Sequence, residues 1–175
     1  MKNIFGGATM RVVENGLTVD IYRSLRKTGP FMEYNDHDVE VALANSLYSV
    51  VVYDGEKPIG IARLVGDNRI TFFLKDVVVH PDYRGQGIGR LIMQYIFEYI
   101  DQHASDNAYI GLTSTQGREG FYERFGFIRR PNDQLGAGMS MFYTKDESNL
   151  KRKPDLMNFQ HRLRESSRPH PRRRY

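Results

Sequence analysis

The feature that most constrains this chain is Arg84-Gly85-Gln86-Gly87-Ile88-Gly89, a glycine-spaced hexapeptide that leads without a break into an amphipathic run. Ile88, Leu91, Ile92, Tyr95, Ile96, Tyr99 and Ile100 fall at i, i+3, i+4, i+7, i+8, i+11 and i+12, which predicts a helix with one buried stripe. The apolar stretch Asp76 to Val79 precedes it, so the loop joins a strand to a helix. Glycines there remove Cβ atoms from the approach path, and the helix N-terminus adds about half a positive charge. Consecutive backbone N–H groups can then point at an anion, and phosphate is the natural guest. A plain strand-to-helix turn is the competing reading. Two nucleotide-binding motifs are excluded by spacing. A dinucleotide fingerprint starting at Gly85 or Gly87 would need glycine at Arg90 or Ile92, and a phosphate loop of the Walker type would need Lys and Ser or Thr where Arg90 and Leu91 stand.

Around this centre the periodicity alternates between helical and strand-like. Leu17, Ile21 and Leu25 predict a short helix near Thr18 to Thr28, stopped by Gly29-Pro30. A second helix starts at Asn35 or Asp36 as cap and runs through Val39, Leu43 and Leu47. Leu47 to Tyr53 and Ile59 to Val65 flank Asp54-Gly55-Glu56-Lys57, which predicts an antiparallel hairpin. Arg69 to Val79 continues the sheet, Ala108 to Thr113 adds a strand, and a short helix covers about Gly117 to Phe125 with Gly126 at its left-handed end. Further strands are expected near Phe127 to Arg130 and Met139 to Tyr143. Without a regular βαβ succession, the α/β pattern favours a mixed sheet with helices on both faces.

Asp76 breaks the pattern. Ile70, Phe72 and Leu74 share its parity, so a regular strand would put an unpaired carboxylate on an apolar face, at a cost of several kcal/mol. A β-bulge near Lys75 would swap the faces and aim Asp76 toward a cleft. There it would act either as a general base of raised proton affinity or as the partner of a basic neighbour.

The 175 residues contain no cysteine, which excludes disulfides, thiolate metal sites and a cysteine nucleophile. No metal site is expected. No stretch has the roughly 20 apolar residues of a membrane span, and Met1 to Gly7 lacks the pattern of an export signal, so a cytoplasmic protein without membrane partners is expected. The net charge of +4 is uneven: residues 150–175 hold nine Lys or Arg against Asp155 and Glu165, or +7, which leaves −3 for the first 149. Two segments are therefore expected, a folded domain over 1–145 and a basic extension over 146–175. In the latter Leu156, Phe159 and Leu163 form a short docking helix before a disordered end. That tail is either solvated or a weak, salt-sensitive nucleic-acid contact.

Val77-Val78-Val79-His80-Pro81-Asp82-Tyr83 followed by the glycine hexapeptide resembles the acetyl-CoA motif R/Q-x-x-G-x-G/A of the GNAT superfamily of N-acetyltransferases, and Phe121-Tyr122-Glu123-Arg124-Phe125-Gly126-Phe127 resembles its second signature, F-Y-x-x-x-G-F. The resemblance spans about Leu17 to Tyr143 and is strong between Asp76 and Phe127. It implies a twisted, mainly antiparallel sheet of six to seven strands, with strands four and five splayed around the pantetheine arm of acetyl-CoA. It also implies that backbone atoms of Val77, Val78 and Val79 hold the pantetheine and thioester, that Gly85, Gln86, Gly87, Ile88, Gly89 and the flanking Arg84 and Arg90 hold the pyrophosphate, and that Gln116 and Phe121 lie by the cofactor. Tyr122 would point its hydroxyl at the thioester sulfur. A phenol with a pKa near ~10 can protonate a thiolate whose pKa lies near ~8.5; the alternative for Tyr122 is plain packing.

The same stretch is similar to bacterial and plastid serotonin-type arylalkylamine acetyltransferases. The animal enzymes of that class carry two histidines where Phe73 and Lys75 stand here, which leaves Asp76, Glu33 or water as the base, with His80 and His37 as weaker candidates. Phe31, Glu33 and Tyr34, with Tyr22 and Met32, form the expected acceptor pocket, suited to a cationic amine with an apolar group, or else they are hydrophobic core. Three functions follow: acetyl transfer to a small-molecule amine, the same reaction on a peptide or protein, or a non-catalytic acyl-CoA-binding module with an RNA-binding tail. The partners are accordingly a small-molecule amine, a second copy of the chain, and nucleic acid through the tail.

Overall fold

The computed structural model describes residues 10–143, and the basic extension with its expected docking helix lies outside them. Contacts divide the chain into two units, Met1–Gly120 and Phe121–Tyr175. The first carries a five-stranded sheet in the order β1-β2-β3-β4-β5, made of β1 (Met10–Glu14), β2 (Tyr48–Asp54), β3 (Lys57–Gly66), β4 (Thr71–Val79) and β5 (Tyr109–Leu112). The first three pairings are antiparallel and β4 with β5 is parallel. The mixed, mainly antiparallel sheet is as the sequence predicts.

Helix α1 (Val19–Arg26) starts where the Thr18 side chain accepts from the Ile21 amide, and α2 (Asp36–Ala44) where Asn35 accepts from that of Asp38. Both caps satisfy amides that a helix start leaves orphaned. Tyr22 and Leu25 of α1 and Val39 of α2 pack on Val51, Ile61 and Val78, which lie side by side across β2, β3 and β4. Helix α3 (Ile88–His103) covers the opposite face with Ile88, Ile92, Met93, Ile96 and Ile100, all at most 3% exposed. Gly60 of β3 permits this approach: a Cβ there would stand 2.9 Å from Ile92 Cδ1 and 3.0 Å from Ile88 Cγ2. The hairpin turn forms at Gly55, with Asp54 opposite Lys57.

Three details differ from the sequence expectation. The described residues hold five strands, not six to seven, because Phe127–Arg130 and Met139–Tyr143 are not strands. Met139 and Phe142 are 96% and 75% exposed, outside the half-buried surroundings in which a β-prone sequence becomes a strand. Helix α2 ends at Ala44 rather than Leu47, where Asn45 donates from its side chain to the Val41 carbonyl. The short helix α4 is limited to Glu119–Glu123.

Candidate active site

Strand β4 holds the irregularity that the parity of Asp76 predicts. Arg63 pairs with Lys75 and Ile61 with Val78, so Ala62 alone faces Asp76 and Val77. This two-against-one count is a β-bulge, and Asp76 takes a left-handed φ of 54°. The faces swap across it. Leu74, paired with Leu64, lies on the α3 side, whereas Val78 lies with Ile61 on the α1 and α2 side.

The bulge delivers Asp76 to two guanidinium groups. Arg63 Nε donates to Asp76 Oδ2 at 2.6 Å, and Arg26 Nη1 donates to Asp76 Oδ1. All three side chains are at least 88% buried, with exposures of 3% for Asp76, 10% for Arg63 and 12% for Arg26. Arg63 Nη1 also donates to the Ala42 carbonyl and to Ser46 Oγ, at 3.3 and 3.1 Å. The ion pair is thus the role this geometry gives Asp76. Both oxygens are engaged by permanent cations.

Beside this cluster lies a cavity of about 110 Å³, lined among others by Tyr22, Arg23, Arg26, Phe31, Glu33 and Tyr34. The expected acceptor residues therefore do share a cavity, but its aromatic walls are already loaded. Arg26 Cζ stands 4.9 Å from the ring centre of Tyr22, 4.8 Å from Phe31 and 5.8 Å from Tyr34, while Nη2 donates to the Met32 carbonyl at 2.9 Å. An internal cation occupies the cage in which a substrate ammonium was expected. Burial, then the neighbouring Asp76 charge, raises the pKa of the Tyr22 phenol. Arg26 and Arg63 are the residues that sequence reasoning missed. A signal existed, since Arg63 interrupts the apolar run of β3 just as Asp76 interrupts β4, and opposite charges misplaced on adjacent strands announce a pair.

The glycine loop follows β4 through a 3-10 turn at Pro81–Tyr83. Tyr83 Oη donates to Asp54 Oδ2 at 2.9 Å, which raises the Tyr83 pKa and ties the turn to the hairpin. Arg84 Nε donates to the Val79 carbonyl at 3.2 Å and Gln86 Nε2 to the Asp82 carbonyl at 2.8 Å, so these side chains brace the loop from within. Gly85 and Gly87 take φ of 77° and 86°, conformations open to glycine at no steric cost. The first helical bond runs from the Leu91 amide to the Gly87 carbonyl. Among the described residues, none accepts from the amides of Gly85, Gln86, Gly87, Ile88, Gly89 or Arg90. A Cβ at Gly85 would meet nothing within 4 Å. A row of unspent donors thus stands at the start of a 16-residue helix, an arrangement suited to a diphosphate.

Strand β5 pairs with β4 only from Thr71 to Leu74, and it ends at Leu112 opposite Leu74. Among the described residues the Lys75 to Val79 stretch therefore has β3 on one edge and no paired strand on the other, the splay that the resemblance implies. In the second unit the Tyr122 ring meets Phe121 and Phe127 edge-on, at centroid distances of 5.0 and 6.1 Å, and burial raises its pKa. Gln116 lies exposed in the first unit, between β5 and α4. No group of three or more potential metal ligands occurs among the described residues, and no helix there is long and apolar enough to cross a membrane.

Residues 45–129 match the family model of the acetyltransferase (GNAT) domain. Among curated proteins, the chain is similar to the uncharacterized N-acetyltransferase ycf52 of Pyropia yezoensis, 29% identical over 102 residues, which are 56% of this chain and 58% of the relative. It thus spans under two thirds of that protein. It is also similar to the chloroplastic GCN5-related N-acetyltransferase 1 of Arabidopsis thaliana, 28% identical over 147 residues, covering 83% of this chain and 72% of the relative. Among solved structures, a probable acetyltransferase of unknown function from methicillin-resistant Staphylococcus aureus superposes with a TM-score of 0.70 at 30% identity, over 77% of this chain and 99% of the other.

Proposed function

The chain belongs to the GNAT acetyltransferase family, and on that premise we propose that it moves an acetyl group from acetyl-CoA to the primary amine of a small molecule by direct attack on the thioester. The observation that carries this reading is the run of six amides, Gly85 to Arg90, without a protein acceptor at the start of α3. Bound there, acetyl-CoA would supply the activated carbonyl. The residues of this chain do the rest. The loop amides neutralise the pyrophosphate, with the helix dipole adding to their field. The edge of β4 from Asp76 to Val79 offers backbone N–H groups that polarise the carbonyl as its oxygen gains charge. Tyr122, protonated because burial raises its pKa, gives its proton to the departing sulfur.

Asp76 acts in this scheme as a positioning residue that pins the bulge. Glu33, which lines the cavity and enters no ion pair among the described residues, is then the carboxylate left to accept the amine proton. The likeness to arylalkylamine acetyltransferases adds an apolar body to the acceptor, for which Met32 and Tyr34, 54% and 47% exposed, offer surface at the cavity rim.

The test is calorimetry with coenzyme A, followed by a thiol-release assay over aryl amines, polyamines, amino sugars and peptides. Saturable one-to-one binding with acceptor-dependent thiol release is expected. Absence of coenzyme A binding would sink the reading.

A further inference from the structure

The Arg26, Asp76 and Arg63 cluster is short of one negative charge. Two guanidinium groups, which stay protonated at any ordinary pH, share one carboxylate, and no other acidic side chain pairs with either among the described residues. Such a surplus is costly at this degree of burial unless a counter-ion completes it. Arg26 spends two of its five N–H donors on Asp76 and the Met32 carbonyl, and it lines the cavity. The other charges facing that cavity are Arg23, which pairs with Asp36, then Lys27 and Glu33, neither of which pairs with anything among the described residues. With the ion-pair partners included, four cations stand against three anions. The space these groups line is a cavity of about 110 Å³.

We propose that this cavity seats an anionic group, carboxylate or phosphate, carried by the amine acceptor, with Arg26 and Lys27 as its counter-ions. The proposal rests on the transferase reading only for the word acceptor. It reverses what aromatic walls alone imply, because the cation they hold belongs to the protein. A second ammonium among Arg23, Arg26 and Lys27 would meet like charge, whereas an anion gains charge-assisted hydrogen bonds from donors already in place.

The experiment uses matched acceptors in the thiol-release assay: tyrosine against tyramine, glucosamine 6-phosphate against glucosamine, and putrescine as a dication. At least one anionic member should exceed its counterpart in kcat/KM by about tenfold or more, the worth of one hydrogen bond to a charged group. The arm that wins tells carboxylate from phosphate. Arg26→Gln should erase the preference without changing the KM for acetyl-CoA, Arg26→Lys should restore part of it, and Lys27→Ala, at an exposed position, should weaken it in a protein that folds. If tyramine and glucosamine both turn over as well as or better than their anionic counterparts, or if putrescine exceeds every anionic acceptor, the proposal is overturned and the transferase reading stays intact. If no acceptor releases thiol, calorimetry with tyrosine and glucosamine 6-phosphate decides separately. Binding lost in Arg26→Gln supports the anion site while the transferase reading fails, and no binding overturns the proposal as well.

Discussion

The glycine loop and the arginine cluster are two ways of presenting positive charge to a ligand, and they differ in what holds them. At Gly85 to Arg90 the donors are main-chain amides without a protein acceptor among the described residues, so the site depends on backbone conformation and hardly on side chains. At Arg26 and Arg63 the donors are side chains at least 88% buried and held by a single carboxylate. The loop should tolerate changes that keep its turns. The cluster should fail when any one member goes, because burial turns each charge into a liability once its partner is removed.

The largest effect should therefore come from Asp76→Ala, which leaves two buried guanidiniums without their carboxylate. A loss of about 3–5 kcal/mol is expected in urea denaturation. A loss below about 1 kcal/mol would show that water already screens the cluster and would remove the contrast. Tyr122→Phe tests whether both sites only bind. It should lower kcat about a hundredfold with little change in either KM. In the wild type, the raised Tyr122 pKa keeps the proton on the phenol to higher pH than an ordinary tyrosine, so the alkaline fall in kcat should begin above pH ~10. Gly85→Ala comes next. Its Cβ would enter open space, but at a φ of 77° the left-handed conformation costs a side chain about 1–2 kcal/mol. Affinity for coenzyme A should fall about tenfold, read by calorimetry, while the selectivity among acceptors stays unchanged.

This comparison also marks what the sequence could show. The loop was legible because its signal is local: glycines at fixed spacing and the stripe of α3 lie within a continuous stretch, and Asp54-Gly55 announced the hairpin for the same reason. The bulge was legible because Asp76 conflicts with the parity of its own strand. Arg26 was not, since on a short helix it reads as one more polar-face residue, and its partner Asp76 lies 50 positions away on another element. Strand β1 gave no sign of itself either. Met10–Glu14 is a short edge strand with no residue in the buried class, and it owes its place to pairing with β2, which a linear pattern does not display. The opposite difference lies at Phe127–Arg130 and Met139–Tyr143, where β-prone residues suggest strands and the described residues form none, because β-propensity is decided by context.

The smallest effect is the sharpest control. Arg23 pairs with Asp36 one helical turn from Arg26 and lines the same cavity, but the two side chains are 38% and 65% exposed. Water can take over either charge when the other is removed, so Arg23→Ala should cost less than about 1 kcal/mol and its effect should shrink further as salt is raised. The chemistry of this pair matches that of Arg26 with Asp76, and the helix and cavity are shared, so burial is the variable that separates them. If denaturation showed Arg23→Ala to be as damaging as Asp76→Ala, the fragility of the buried cluster would have to come from packing around the helix rather than from unpaired charge, and the case for an anionic ligand completing that charge would weaken with it.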